Sequence, residues 1–240
     1  LVYRLVIKPE QIQEQKIQLT SPQQHYLRRV LRLKEGDRFV AMDGVGKSWW
    51  AKIESTSACL LESIDISTEL PITVTLVTAL PKGNAYDEVV RCCTELGVSI
   101  FQPVISDRTL LKPSPHKLER WRRIATEAAE QSERQIVPTI LEPVSFTEML
   151  AREIDAESDR YICVARGGGY HLSQYLQHSV RNNILIATGP EGGWTKEEVE
   201  KAIAVGYRSV SLGDRILRAV TAPIVALSLV VAAMERAVFR

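Results

Sequence analysis

Two glycine-rich stretches carry the residue types best suited to chemistry. The first, Gly189-Pro190-Glu191-Gly192-Gly193, follows an apolar run, Ile184 to Ala187, that reads as a strand. Thr195 behind it is a good N-cap, and Glu197 and Glu198 fall in the first turn of the helix it opens, where carboxylates suit the positive end of the dipole. The second, Leu212-Gly213-Asp214-Arg215-Ile216-Leu217-Arg218, ends a short strand read over Ser209 to Leu212. Two such strand-end loops, close in sequence, make a cradle of backbone N–H and C=O groups. It suits a small ligand bearing a carboxylate, a ribose and a base. One glycine loop alone is a moderate signal, since any strand-to-helix turn can use glycine; the pair is stronger.

A second chemistry is written in cations. His25-Tyr26-Leu27-Arg28-Arg29-Val30-Leu31-Arg32 puts three arginines within five positions, and Lys34 and Arg38 follow. On a helix, Arg28 and Arg32 share a face by i,i+4 spacing, and arginine forks match phosphate oxygens. The bland alternative is a solvated helix face. Lys117, Arg120, Arg122 and Arg123 open a long helix, where positive charge opposes the dipole. An anion bound there would relieve the conflict.

Other chemistries fall away. Ala41 to Ser48 (AMDGVGKS) has the letters of a phosphate loop, yet a strand, Trp49 to Glu54, follows where a helix is required. Asp43-Gly44 is instead a hairpin turn signal. The histidines (His25, His116, His171, His178) are scattered, none beside a cysteine at metal-ligand spacing, so no metal is expected. No G-x-S-x-G elbow occurs, and no G-x-G-x-x-G follows a strand, which sets a Rossmann dehydrogenase aside. Cys59, Cys92, Cys93 and Cys163 form no C-x-x-C pair, which suits a reducing cytoplasm better than a disulfide framework. Lys and Arg number 30 against 29 Asp and Glu, so any nucleic-acid surface must be a local patch. LVYRLVIKPE does not read as a signal peptide. The apolar run Ala219 to Met234, broken by Thr221, Pro223 and Ser228, falls short of the roughly 20 apolar residues of a membrane span. It reads as a helix opened by Thr221 with Pro223 in its first turn, burying more than one face, which points to a subunit interface.

Residues 1 to about 68 read as short strands (LVYRLVI, FVAMDG, SWWAKIES, ACLLESIDIS) with one helix from Ser21 to Leu31, a pattern that predicts a small β-barrel with a helix. Glu69-Leu70-Pro71 breaks the rhythm, and ITVTLVTAL begins as a central strand. Helices over Asn84 to Leu96 (stopped by Gly97 at C′), Pro115 to Arg134, Phe146 to Arg152 and Leu172 to His178 then alternate with extended pieces VSIFQPVI, TILEPV and Tyr161 to Ala165. This alternation predicts an α/β domain with a mainly parallel sheet. Arg166-Gly-Gly-Gly-Tyr170 reads as a flexible surface connection.

Taken in order, these blocks resemble the RsmE family, the bacterial 16S rRNA uracil-N3 methyltransferases of the SPOUT class. The resemblance covers nearly the whole chain. Its N-terminal blocks are His25 with Arg29-Val30-Leu31-Arg32, Gly36-Asp37 and Asp43-Gly44. Its middle blocks are Lys82-Gly83, Thr94 to Val98, Pro103, Asp107-Arg108, and Glu127 to Ser132 with Arg134 and Pro138. Its last blocks are Gly189 to Gly193 and Leu212-Gly213 with Arg215, Leu217-Arg218 and Thr221-Ala222.

The resemblance implies a PUA-like β-barrel over residues 1–70, followed by a trefoil-knotted SPOUT α/β methyltransferase domain over 71–240. It implies S-adenosyl-L-methionine held by Gly189, Pro190, Glu191, Gly192, Leu212, Gly213, Ile216 and Leu217. Arg218 and Glu191 would carry the chemistry, and His25, Arg28, Arg29, Arg32, Lys82, Arg108 and Arg134 would face RNA. The implied partners are 16S rRNA in the 30S subunit and a second copy of the chain, joined through the knot domain, with no membrane and no metal. One departure stands out: the family usually has Arg-x-Glu-Thr-Ala after Leu217, and here Val220 replaces the glutamate. Two other readings are a SPOUT enzyme acting on another RNA site, and a non-catalytic RNA-binding protein with a decayed cofactor site.

Overall fold

The computed structural model describes residues 2–65, 67–111, 113–152, 157–167, 169–177 and 181–238. The chain divides into two compact units, residues 1–69 with 126–137, and residues 70–125 with 138–240.

The first unit is built on β1 (Arg4–Val6), β2 (Ile12–Gln13), β3 (Lys16–Gln18), β4 (Arg38–Met42), β5 (Ser48–Ile53) and β6 (Ser57–Ile64). They form one barrel-like sheet in the order β1-β4-β5-β6-β3-β2, antiparallel except where β1 meets β4. Its core gathers Leu5, Ile7, Ile17, Leu27, Phe39, Ala51 and Ile53. The turn from β4 to β5 is held by Asp43, whose Oδ1 accepts the N–H groups of Val45 at 2.9 Å and Lys47 at 3.0 Å. Ser48 then starts a strand, so the phosphate-loop letters are a strand-to-strand turn.

The helix expected from Ser21 to Leu31 is not uniform. Thr20 and Gln23 form a reciprocal capping box that opens α1 (Ser21–His25), and one π-helical turn, Tyr26–Val30, continues it. The turn ends on Arg32 at φ +58, with the Leu33 N–H donating to the Leu27 carbonyl at 3.0 Å. Glycine usually takes this left-handed closing position. The wider turn and left-handed exit remove the shared face expected of Arg28 and Arg32.

Residues 126–137 group with the first unit through specific bonds. The Val6 N–H donates to Glu130 Oε1 at 2.7 Å, Gln135 Nε2 to Ser48 Oγ at 2.9 Å, and Val45 forms a β-bridge with Ile136.

The second unit carries β7 (Thr73–Ala79), α2 (Tyr86–Glu95), β8 (Ile100–Ile105), α3 (Pro115–Gln131, whose last turns belong to the first unit), β9 (Thr139–Ile140), β10 (Val144–Ser145), α4 (Phe146–Leu150), β11 (Ser158–Cys163), α5 (Leu172–Tyr175), β12 (Asn183–Thr188), α6 (Lys196–Ala204), β13 (Arg208–Val210) and α7 (Thr221–Val238). His178, the expected end of α5, lies outside the described residues. The sheet is parallel throughout, in the order β10-β8-β7-β12-β11-β13, with β9 beside β8. Strands covered on both faces are apolar along their length, which is why ITVTLVTAL and ILIAT read as central.

The crossing at the end of β13 sets the topology. Val164, just after β11, donates its N–H to the Val210 carbonyl at 3.0 Å. The far end of the loop that starts there returns to the next residue: the Ser211 N–H donates to the Tyr170 carbonyl at 3.1 Å and the Leu172 N–H to the Ser211 carbonyl at 3.0 Å. Both ends of the loop are thus bonded to residues 210–211, and the chain continues beyond them into α7, which packs on α5, β12 and α2. This is the trefoil knot, a rare exception to unthreaded connections. Gly169 shows how tight the threading is, since a Cβ there would stand 2.6 Å from the Ser209 carbonyl oxygen. The Arg166–Tyr170 stretch is therefore part of the knot and not a loose surface connection; Gly168 within it lies outside the described residues.

Candidate functional site

Parallel strands end on one edge of the sheet, and the loops at their carboxyl ends enclose a cavity. Its volume is about 340 Å³, within the roughly 300–1,000 Å³ usual for small-molecule sites. Three chain segments line it. The loop after β11 gives Cys163 to Arg166, the loop after β12 gives Gly189, Pro190, Gly192, Gly193 and Trp194, and the knotted loop after β13 gives Leu212, Gly213, Arg215, Ile216 and Leu217, with Arg108 entering from the loop after β8.

The glycine content has a physical cause at two positions. Gly193 (φ +68) and Gly213 (φ +114) both line the cavity, and a Cβ at either would meet nothing within 4 Å. The positive φ at both positions is the backbone conformation that favours glycine. Ser211 steadies the second loop, its Oγ accepting the Gly213 N–H at 3.0 Å. Apolar walls from Val164, Leu212, Ile216 and Leu217 suit a flat base, and the guanidinium groups of Arg108, Arg166 and Arg215 suit a carboxylate or phosphate. No carboxylate lines the cavity among the described residues. Residues of this kind fit S-adenosylmethionine, with its base, ribose and carboxylate. Cys163 is a wall residue whose thiol burial pushes up to about 12, so it stays protonated and is no competing nucleophile for an electrophilic ligand.

Seven of the eight expected cofactor residues, Gly189, Pro190, Gly192, Leu212, Gly213, Ile216 and Leu217, line this cavity. Glu191 does not. Its Oε1 accepts the Lys82 backbone N–H at 2.9 Å, tying the loop after β12 to the loop after β7. Arg218 also lies off the lining; its side chain is exposed between Leu217 and Ala219, and its carbonyl accepts the Thr221 and Ala222 N–H groups that open α7. Cys163 to Arg166 were missed by sequence reasoning because the glycine run that follows looked like a plain connector. Val220 is half-buried and off the lining, so the departure there leaves the cavity wall intact.

The expected RNA-facing residues separate into two groups. His25, Arg29, Arg32, Lys82 and Arg108 are exposed. Arg28 is half-buried, its Nη2 donating to the Glu54 carbonyl at 2.7 Å and to the Ser55 carbonyl. Arg134 is 4% exposed and ion-paired with Glu69, Nη2 to Oε2 at 2.6 Å. It is a buried structural cation of the first unit, not a phosphate-facing one. The basic start of α3 is likewise answered from within: Lys117 Nζ donates to the Gly83 carbonyl at 2.7 Å and Arg120 Nε to Asp87 Oδ2 at 2.8 Å. Those pairs relieve the dipole conflict without a bound anion.

Comparison with known proteins agrees with this architecture. A family model described as an RNA methyltransferase domain matches residues 68–231, and one described as an RNA methyltransferase PUA domain matches residues 19–61. A crystal structure of a ribosomal RNA small subunit methyltransferase E from Neisseria gonorrhoeae, bound to S-adenosylmethionine, superposes with a TM-score of 0.87 at 30% identity, covering 99% of this chain and 98% of that one. A Legionella pneumophila putative methyltransferase in complex with the same cofactor gives 0.85 at 25% identity, covering 97% and 98%. Fold and cavity define a knotted, S-adenosylmethionine-dependent RNA methyltransferase of the SPOUT class. Among curated relatives, ribosomal RNA small subunit methyltransferase E of Synechocystis sp. is 51% identical over 98% of this chain and 79% of its own length, and that of Bacillus subtilis is 33% identical over 94% of each. The chain belongs to the ribosomal RNA small subunit methyltransferase E family.

Proposed function

We propose that this chain transfers the methyl group of S-adenosylmethionine to N3 of a uridine in the 16S rRNA of the 30S subunit, acting in the cytoplasm as a homodimer joined through the knot domain. The observation that carries the reading is the cavity between the two glycine loops of the knot, with Gly193 and Gly213 in its lining at positive φ. When bound there, S-adenosylmethionine supplies an electrophilic methyl carbon on a sulfonium sulfur.

Uridine N3 carries a proton at neutral pH, so the base must become anionic at or before attack. The chain's tasks are to align N3 and to place positive charge near the carbonyl oxygens that gain electron density. Arg108 is assigned the first of these charges. Its Nη1 donates to the Gly192 carbonyl at 2.7 Å, which fixes the guanidinium at the cavity. Arg218 is assigned the second, at the rim. Glu191 acts as a tether through the Lys82 N–H and not as the proton acceptor.

His25, Arg29 and Arg32 form the RNA-facing surface of the barrel unit, which takes the role expected of residues 1–70; in the second unit Lys82, beside the cavity loops, is assigned to RNA on its own account. Arg32 is exposed and holds a left-handed backbone conformation, of order 1–2 kcal/mol unfavourable for a non-glycine residue. Arg28 positions the loop at Glu54 and Ser55. The half-buried Ile224, Val225, Leu229 and Val231 of α7 are the apolar groups assigned to the partner copy.

Methyl-labelled S-adenosylmethionine incubated with unmodified 30S subunits and with naked 16S rRNA tests the reading. Label is expected in RNA from at least one substrate. Cofactor binding by calorimetry with no label in either RNA would overturn it.

A further inference from the structure

A buried carboxylate outside the cavity is bonded to the loop that carries one of the lining residues, Arg108. Glu198, on the first turn of α6, is 3% exposed. Its Oε2 accepts the Thr195 N–H at 2.8 Å, while Thr195 Oγ1 accepts the Glu198 N–H at 3.2 Å. That reciprocal pair is a capping box, and it uses only one carboxylate oxygen. The other, Oε1, reaches across to a separate loop and accepts the Asp107 N–H at 2.9 Å. Thr195 Oγ1 in turn donates to Asp107 Oδ2 at 3.3 Å. The next residue is Arg108, whose Nη1 donates to the Gly192 carbonyl and whose Cδ would lie 3.2 Å from a Cβ on Gly192.

We infer that Glu198 is a positioning residue for methyl transfer, its second carboxylate oxygen fixing the 106–109 turn so that Arg108 stands at the cavity. This rests on the proposed function, in which Arg108 faces the target base. A helix cap needs one acceptor; two oxygens each taking a backbone N–H from a different loop make the carboxylate a clamp. Glutamine can keep one acceptor only, because its NH2 would face the second N–H.

Two variants separate the clamp from the cap. Glu198→Ala removes clamp and cap together. Asp107→Pro removes the donor to Oε1, together with the carboxylate that accepts from Thr195 Oγ1, and leaves both bonds of the capping box in place; position 107 is the second residue of the turn closed by the Thr109 N–H to the Ser106 carbonyl at 3.0 Å, where proline is accepted. Both are expected to lower kcat/KM for RNA roughly tenfold to a hundredfold, the scale of a catalytic group displaced by about 1 Å. In an Arg108→Ala background neither should lower it further, since both act through Arg108. In the cofactor-free protein, amide hydrogen exchange should quicken in the 105–110 segment of Glu198→Ala and stay unchanged across β7 and β12.

Wild-type activity with losses that multiply on Arg108→Ala would overturn the inference, as would 105–110 exchange at the wild-type rate. An inactive wild type would instead strike the functional reading, and the exchange result would then decide the clamp alone.

Discussion

Replacing Arg134 by leucine distinguishes a buried structural cation from an RNA contact. In the first unit its Nη2 and Nε lie 2.6 and 3.1 Å from Glu69 Oε2, and Glu69 Oε1 accepts the Gln135 and Ile136 N–H groups, both at 3.1 Å. The side chains are 4% and 14% exposed. Leucine removes the counter-charge and strands the carboxylate. Breaking a buried pair in this way destabilises by about 3–5 kcal/mol. The lower end applies, because the two backbone donors to Glu69 remain. Against a typical stability of roughly 5–15 kcal/mol this is a large loss. With a urea m-value of about 1–3 kcal/mol/M the midpoint of the affected transition should fall by roughly 1–3 M. Below that transition, the salt dependence of RNA affinity should keep its slope, whereas loss of a phosphate contact would flatten it by somewhat under one unit. An unmoved urea midpoint together with a flattened slope would refute the reasoning.

Three more perturbations probe other parts of the account. Burial pushes the Glu130 carboxyl from an ordinary 4.5 up to about 7, partly offset by the Val6 N–H bond and added to by Glu127. The folded state then holds a proton that the unfolded chain has lost between those values, so this group's contribution is full below about 4.5 and lost as pH rises through 7. Glu130→Gln keeps the acceptor for Val6; it should match wild type at pH 4.5 and exceed it at pH 8 by at most about 3 kcal/mol, read by urea unfolding, and a difference independent of pH would contradict this. Gly213→Ala places alanine in the cavity lining at φ +114, a conformation of order 1–3 kcal/mol unfavourable for it, so the loop should shift. Calorimetry should show S-adenosylmethionine affinity down by roughly tenfold or more, and an unchanged Kd would count against the site. Arg218→Ala should slow single-turnover transfer by roughly a hundredfold, the effect of losing one preorganised donor; a near-normal rate would remove Arg218 from the chemistry.

What could be read in the residues was mostly local. Thr195 with its carboxylates marked the start of α6, Gly97 marked the end of α2, and the apolar runs marked the central strands. Glycine spacing found two of the cavity's walls. The third wall escaped because the loop after β11 is fixed by bonds from residues 164, 170 and 172 to residues 210 and 211, and no local pattern encodes a threading. Arg134 looked like a surface cation because its partner, Glu69, is 65 residues away. The π turn at Tyr26–Val30 changed which arginines share a face, a shift of one residue that side-chain types do not signal. Glu198 was legible as a first-turn carboxylate at the positive end of the α6 dipole, while the reach of its second oxygen to Asp107 depends on how β8 and β12 are set in the sheet.

The central claim is most directly tested by the identity of the product. Unmodified 30S subunits or naked 16S rRNA, incubated with the protein and methyl-labelled S-adenosylmethionine, would be digested to nucleosides and resolved by chromatography with mass detection. The account predicts label in 3-methyluridine. Label in a ribose-methylated or carbon-methylated nucleoside, or in none while the cofactor binds, would contradict it.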